Sequence, residues 1–164
     1  MLAVSEAQRG YILRLTLPDL EPAGFVRCGV SPGRLAACGV TLFAGLRYAL
    51  CAEGESDLRT IVGYIDERGA FHPQIALPGL PGAMAACGGG LLVGHLGNLT
   101  MLDAPNCRIR WQTKTRGLPT QLVPFNRFAV FADETDGLVG LIDLRRGRIY
   151  RRAQCDCPAG LAVI

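Results

Sequence analysis

Histidine is nearly absent from this chain: His72 and His95 are its only two. Neither has a nucleophile motif beside it, so no Ser-His-Asp or Cys-His set is assembled, and both are expected as hydrogen-bonded structural side chains. No two cysteines are adjacent. The seven present (Cys28, Cys38, Cys51, Cys87, Cys107, Cys155, Cys157) are odd in number, dispersed and mostly inside apolar runs. A secreted disulfide framework would pair them evenly, so reduced thiols in a cytoplasm are the expectation. No apolar run reaches the roughly 18 residues a membrane-spanning helix needs. The opening MLAVSEAQRGYILRL lacks the basic start and unbroken apolar core of a secretory signal, because Glu6, Gln8 and Arg9 interrupt it. Charge is sparse as well: charged residues are 19% of the chain and the net charge is +3. That is too weak a field for a dedicated nucleic-acid binder, so neither nucleic acid nor membrane is the expected partner. A 3.6-residue apolar stripe bounded by caps is also missing, and helix content should be low.

What the chain does have is apolar residues and turn formers. At 164 residues with 49% hydrophobic side chains it fits one packed domain and excludes wholesale disorder. Its 21 glycines and 10 prolines argue for many short elements joined by turns.

Those elements repeat. Pro32-Gly33-Arg34-Leu35-Ala36-Ala37-Cys38-Gly39 recurs as Pro81-Gly82-Ala83-Met84-Ala85-Ala86-Cys87-Gly88, with six of eight positions identical. Weaker copies start at Pro119 and Pro158, so the four prolines are spaced 49, 38 and 39 residues apart. A second marker keeps phase: Asp66, Asp103 and Asp143 each follow an apolar pair and precede the next proline by 15 or 16 residues. Leu17 holds that place before Pro32 without the carboxylate. A third marker is an apolar run ahead of each Asp, at 47–50, 90–93 and 127–131.

Each unit reads as four short strands. In the last one, 121–123, 128–132, 138–143 and 148–152 are separated by turns at 133–137 and 145–147, whose glycines tolerate the positive φ of tight hairpins. Four-stranded units of about 40 residues predict an all-β chain, a β-propeller of about four antiparallel blades. The units are 1–31, 32–80, 81–118 and 119–157, with a closing strand at 158–164. The small residues after each proline suit an inner strand crowded at the axis. The longer first interval is read as loop insertions at 40–46 and 53–57, the expected partner-facing loops. The chain starts in a second strand and ends in an inner one. Three arrangements follow: a small ring closed within the chain, a homodimer completing a larger ring, or part of a longer propeller.

The segment Met101-Leu102-Asp103-Ala104-Pro105-Asn106-Cys107-Arg108-Ile109-Arg110-Trp111 resembles the blade motif of PQQ-like propellers, A-x-D-x-x-x-G-K-x-x-W. Asp103, Arg108 and Trp111 match, and Cys107 stands where the motif has Gly. The segment from Leu141 to Arg151 is similar, with Arg151 in place of Trp, and the 64–71 segment carries a shortened version. WD40 and YVTN-type repeats are compatible with the same pattern. The resemblance implies a propeller in which the Asp and Gly set a turn and the Trp docks on a neighbouring blade. Quinone use is not implied, since quinoprotein dehydrogenases are much longer and carry a calcium site and an adjacent-cysteine disulfide.

The remaining residues suggest surfaces more than chemistry. Cys155-Asp156-Cys157 is the one close thiol pair, but zinc sites usually want C-x2-C with a second pair, so a turn is expected there and no metal or cofactor is assigned. Cys38 and Cys87 share a repeat position and read as small buried hydrophobes. The acidic turn Asp133-Glu134-Thr135-Asp136-Gly137 lacks the ligand series of a calcium loop and reads as a solvated hairpin. The Asp of each repeat is expected to cap its turn. Arg145, Arg146, Arg148, Arg151 and Arg152 form the densest charge cluster, a candidate surface for a partner, with Arg148, Tyr150 and Arg152 on one side of the strand and Ile149 and Arg151 on the other. The reading that results is a non-enzymatic protein-interaction scaffold with a protein partner. A small-ligand or carbohydrate-binding propeller is the alternative, ahead of a remnant of a quinoprotein-type enzyme.

Overall fold

A computed structural model of the chain describes residues 2–6, 8–28, 32–38, 41–52, 55–104, 106–156, 158 and 160–162; at 2, 5, 6, 46–52 and 55–57 it describes the backbone alone. All regular structure among them is β. The strands are β1 (Leu2–Glu6), β2 (Tyr11–Leu15), β3 (Pro22–Arg27), β4 (Pro32–Cys38), β5 (Thr41–Ala52), β6 (Glu55–Ile65), β7 (Phe71–Pro78), β8 (Pro81–Cys87), β9 (Gly90–His95), β10 (Asn98–Asp103), β11 (Ile109–Lys114), β12 (Pro119–Phe125), β13 (Phe128–Asp133), β14 (Leu138–Asp143) and β15 (Arg148–Gln154). They form four antiparallel meanders: a first sheet β1-β2-β3, a second β4-β5-β6-β7, a third β8-β9-β10-β11 and a fourth β12-β13-β14-β15. This is a β-propeller architecture, with three four-stranded blades and a first one of three strands.

Each full blade begins on a repeat proline (Pro32, Pro81, Pro119) that opens the inner strand. Proline suits that place because the first residue of an edge strand need not donate to the ladder. Inner strands of adjacent blades crowd together. A Cβ on Gly82 would overlap the Pro119 carbonyl, and one on Gly94 would lie 2.7 Å from the same oxygen. Small residues are therefore required at the axis. Arg34 ties the second and third inner strands, its Nε donating to the Gly82 carbonyl (3.2 Å).

The core lies between blades, because each sheet has two apolar faces and only its neighbours can cover them. Ile12 and Val26 pack with Ala44 and Ile65 between the first and second sheets. Phe43, Val62 and Leu77 meet Leu91, Val93 and Leu102 between the second and third. Leu92, Leu99 and Met101 meet Ala129, Phe131 and Ile142 between the third and fourth. Among the described residues no such cluster joins the fourth sheet to the first. The blades form an open arc.

The long interval between the first two prolines is used differently from the expectation. Residues 41–46 belong to strand β5, and the added length extends the β5–β6 hairpin, whose ladder runs on to the pair Ala52 and Glu55. An insertion that continues an antiparallel ladder keeps its backbone groups paired, which a loop of the same length would not. Residues 40, 53 and 54 of the two expected loops lie outside the described residues. In the C-terminal unit, Pro158 is buried and 160–162 lie outside the strands.

Candidate interaction surface

The turns are built as the repeated Asp predicts, with one exception. Asp66 Oδ1 accepts the Ala70 N–H (2.8 Å), and Asp143 Oδ1 accepts the Arg145 N–H (2.8 Å). The Asp103 carboxylate instead pairs with the Arg110 guanidinium. Asp133 does similar work without belonging to the series. It is fully buried, its Oδ2 accepting the Gly117 N–H (2.9 Å) and its Oδ1 the Asp136 N–H (3.2 Å). The acidic turn is the β13–β14 hairpin, exposed at Glu134 and Thr135 as expected, with Asp133 as its buried cap.

Both histidines are occupied. His95 has no exposed surface. The Pro78 carbonyl can only accept, so His95 Nδ1 carries the proton and donates to it (2.7 Å). Nε2 then accepts from the Thr100 hydroxyl (2.8 Å), which Gln112 Nε2 also contacts (3.1 Å). Burial disfavours the imidazolium and holds the His95 pKa below its usual value. His72 Nε2 lies 2.8 Å from Asp66 Oδ2 and its ring stacks on Tyr64 at 5.0 Å. That hydrogen bond, with the Ala70 amide, lowers the Asp66 pKa.

Cys107 is 2% exposed with φ 50°, and its thiol is pushed up to about 11 by burial. It sits in the left-handed conformation that the matching Gly147 adopts at φ 66°. Cys87 is half-buried and also raised to about 11, chiefly by desolvation, while Cys38 is half-buried. The raised Cys87 and Cys107 thiols stay protonated, and all three side chains pack as small apolar groups. Cys155 is exposed, and Cys157 lies outside the described residues.

Trp111 shows how adjacent blades lock. Its Nε1 donates to the Leu144 carbonyl (2.9 Å) in the β14–β15 turn, and its ring lies against Gly147. Thr113 Oγ1 donates to the Gly147 carbonyl beside it. The docking implied by the motif resemblance is present.

The arginine cluster surrounds the outer strand of the fourth sheet. Arg145 and Arg146 sit in the exposed turn, and Arg148, Arg151 and Arg152 are exposed on β15. Among the described residues none of the five pairs with a carboxylate. A bulge changes their directions. Ile142 faces Ile149 and Leu141 faces Arg151, so Tyr150 is the extra residue. Beyond it alternation is shifted by one. Arg152 therefore lies on the Ile149 side, where it lines a small recess with Phe131, Leu138 and Arg116. Arg148, Tyr150 and Arg151 lie on the other side, Tyr150 packing edge-on against Phe128 at 5.7 Å. The alternation expected from sequence holds for Arg148, Ile149 and Tyr150, and fails for Arg151 and Arg152. A bulge leaves no mark that alternation alone would reveal.

A second basic feature lies between the third and fourth sheets, an open cleft of about 510 Å3 lined by Gly88, Met101, Arg110, Asn126, Arg127, Leu144 and Arg145. Arg110 is held by Asp103, and Arg127 lies over the Phe128 ring at 4.7 Å, with its Nε 4.0 Å from Asp143. Among the described residues no three metal-ligating side chains converge, and no helix is long and apolar enough to cross a membrane.

No protein-family model matches the sequence, and no curated protein matches it either. Solved structures do resemble the fold. Hydrazine synthase of Kuenenia stuttgartiensis aligns over 92% of this chain and 44% of its own, with a TM-score of 0.73 and 17% identity. Sqt1 of Saccharomyces cerevisiae aligns over 93% and 45%, with a TM-score of 0.71 and 9% identity. Both are propeller-like. The computationally designed Ika8 protein aligns over 94% and 46%, with a TM-score of 0.70 and 12% identity. At such identities the likeness concerns the fold alone. This chain spans less than half the length of each.

Proposed function

We propose that the chain is a cytoplasmic, non-enzymatic protein-interaction scaffold. The observation that supports this reading best is the group of five arginines around β15, which have no carboxylate partner among the described residues and stand on a braced sheet edge. Unpaired guanidinium groups on a rigid strand suit an acidic protein surface, since each can take a bidentate carboxylate without reorganising the backbone. The test is retention of partners from the native cell extract by the tagged chain, read by mass spectrometry. A stoichiometric protein partner, lost at least tenfold in the Arg148→Glu/Arg152→Glu variant, is expected. Recovery of the bare chain, or catalytic turnover by it, would overturn the reading.

A small-ligand function has one observation in its favour, the cleft bearing Arg110, Arg127 and Arg145. Three guanidinium groups against one paired Asp103 and a buried Asp143 select for an anionic or acidic-sugar ligand. Glycan-array binding lost on Arg145→Ala is what that function predicts.

A further inference from the structure

The two ends of the arc carry apolar faces whose counterparts inside the arc are covered. Strand register makes the comparison position by position. Val130 pairs with Leu141 as Leu92 pairs with Met101, and Val139 corresponds to Leu99. Leu92, Leu99 and Met101 are at most 1% exposed, because the fourth sheet lies on them. Val130, Val139 and Leu141 are only half-buried. The same holds at the other end. Val4 pairs with Leu13 as Val93 pairs with Thr100, yet Val4 is 43% exposed and Val93 is 2% exposed. Among the described residues seven large apolar side chains are exposed, and five belong to the end sheets or their turns: Val4, Leu17, Leu20, Phe25 and Tyr150. Apolar patches of this kind mark an interface.

We infer that a second copy of this chain covers both faces, so that two arcs close one eight-bladed ring. Three observations select that occupant. First, the arc aligns almost whole with less than half of each longer propeller-like chain, which leaves room for about one more arc. Second, among the described residues β1 pairs with β2 alone, and the first sheet has no inner strand like that of the other three. The segment after β15, at 158–164, stands in the repeat phase of just such a strand. Supplied by a second copy, such a strand would complete the first sheet.

Third, the charges match. Trp111 docks on the β14–β15 turn of the next blade, and Arg151 occupies the same register position one blade later: Trp111 faces Met101 as Arg151 faces Leu141. The turn it would meet is that between β2 and β3 of the second copy, residues 16–21, whose Asp19 and Glu21 are exposed. The basic turn holding Arg145 and Arg146 falls on the same end of the ring. One heterologous contact made twice with closure gives a two-fold dimer.

Light scattering behind size exclusion at about 50 μM tests this on the full chain. A mass of twice 17.5 kDa is expected. Leu141→Arg should give a monomer with an unchanged far-UV β spectrum, since no core cluster inside the arc includes Leu141. Arg151→Glu should raise the dimer dissociation constant at least tenfold, and adding Asp19→Arg should restore most of it. A folded monomer, an open-ended polymer, or a dimer indifferent to Leu141→Arg would overturn the inference. Should Leu141→Arg fail to fold, the charge reversal decides: loss with recovery supports the ring, and a neutral Arg151→Glu overturns it. A different protein filling these faces in place of the second copy would also overturn it. This outcome and the scaffold's own failure are separable, because Arg152→Glu alone tests partner capture on the side of β15 turned away from Arg151 and Leu141.

Discussion

At Gly147 a single methyl group decides whether two blades can lock. A Cβ there would stand 2.6 Å from the Trp111 ring, on a backbone at φ 66° that side chains rarely adopt. Gly147→Ala should therefore cost about 2–3 kcal/mol, combining the left-handed penalty with displaced packing. Trp111→Ala should cost about 3 kcal/mol, and Trp111→Phe about 1 kcal/mol for the lost bond to Leu144. Urea denaturation followed by tryptophan fluorescence for Gly147→Ala, and by far-UV circular dichroism for the Trp111 variants, would check these. His95 makes the pH prediction. Its folded pKa lies below its unfolded value near 6.5, so the unfolded chain takes up its proton first. Stability is complete above pH 6.5 and declines as pH falls toward the folded pKa. Melting temperature measured from pH 7.5 to 5 should drop in the wild type, and the slope should flatten in His95→Gln. Asp66 acts lower, its depressed pKa giving stability that persists above the carboxylate range and is lost on acidification through the folded value.

At the scale of the element, β15 combines two properties that seldom coincide. It is the outer strand of a blade, where charge deters unwanted sheet pairing. Its bulge at Tyr150 also splits the arginines between two faces, Arg148 and Arg151 to one side and Arg152 to the other. Partner capture mediated by Arg148 and Arg152 should weaken as salt rises from 50 to 300 mM, because exposed ion pairs are screened. Capture unchanged by salt would point to the apolar end faces as the binding element. The β5–β6 hairpin teaches a related point. Its extra residues could be counted from the proline spacing, but whether they form a loop or a longer ladder depends on pairing between two strands, which spacing does not contain.

For the whole molecule, an open arc has a consequence for stability. Interior blades bury both faces and terminal blades only one, so the ends should loosen first unless something covers them. If two copies close the ring, melting temperature rises with protein concentration, by mass action. Differential scanning calorimetry at 5 and 100 μM should show an increase of a few degrees, and a concentration-independent transition would argue for a self-sufficient arc.

The blade pattern was legible in the sequence because it rests on local rules. Prolines mark the inner strands, glycines the positive-φ turns, and Asp66 and Asp143 bind amides within a few residues of themselves. The Trp111 contact was legible only through the resemblance of its motif. Tertiary structure alone decided the rest. Asp133 reaches back to Gly117 across 16 residues, and His95 finds Pro78 on another blade. The tautomer of His95, the bulge at Tyr150 and the open ends of the arc all depend on which surfaces meet. A linear pattern can state that a strand has two apolar faces; only packing shows which of them is left uncovered.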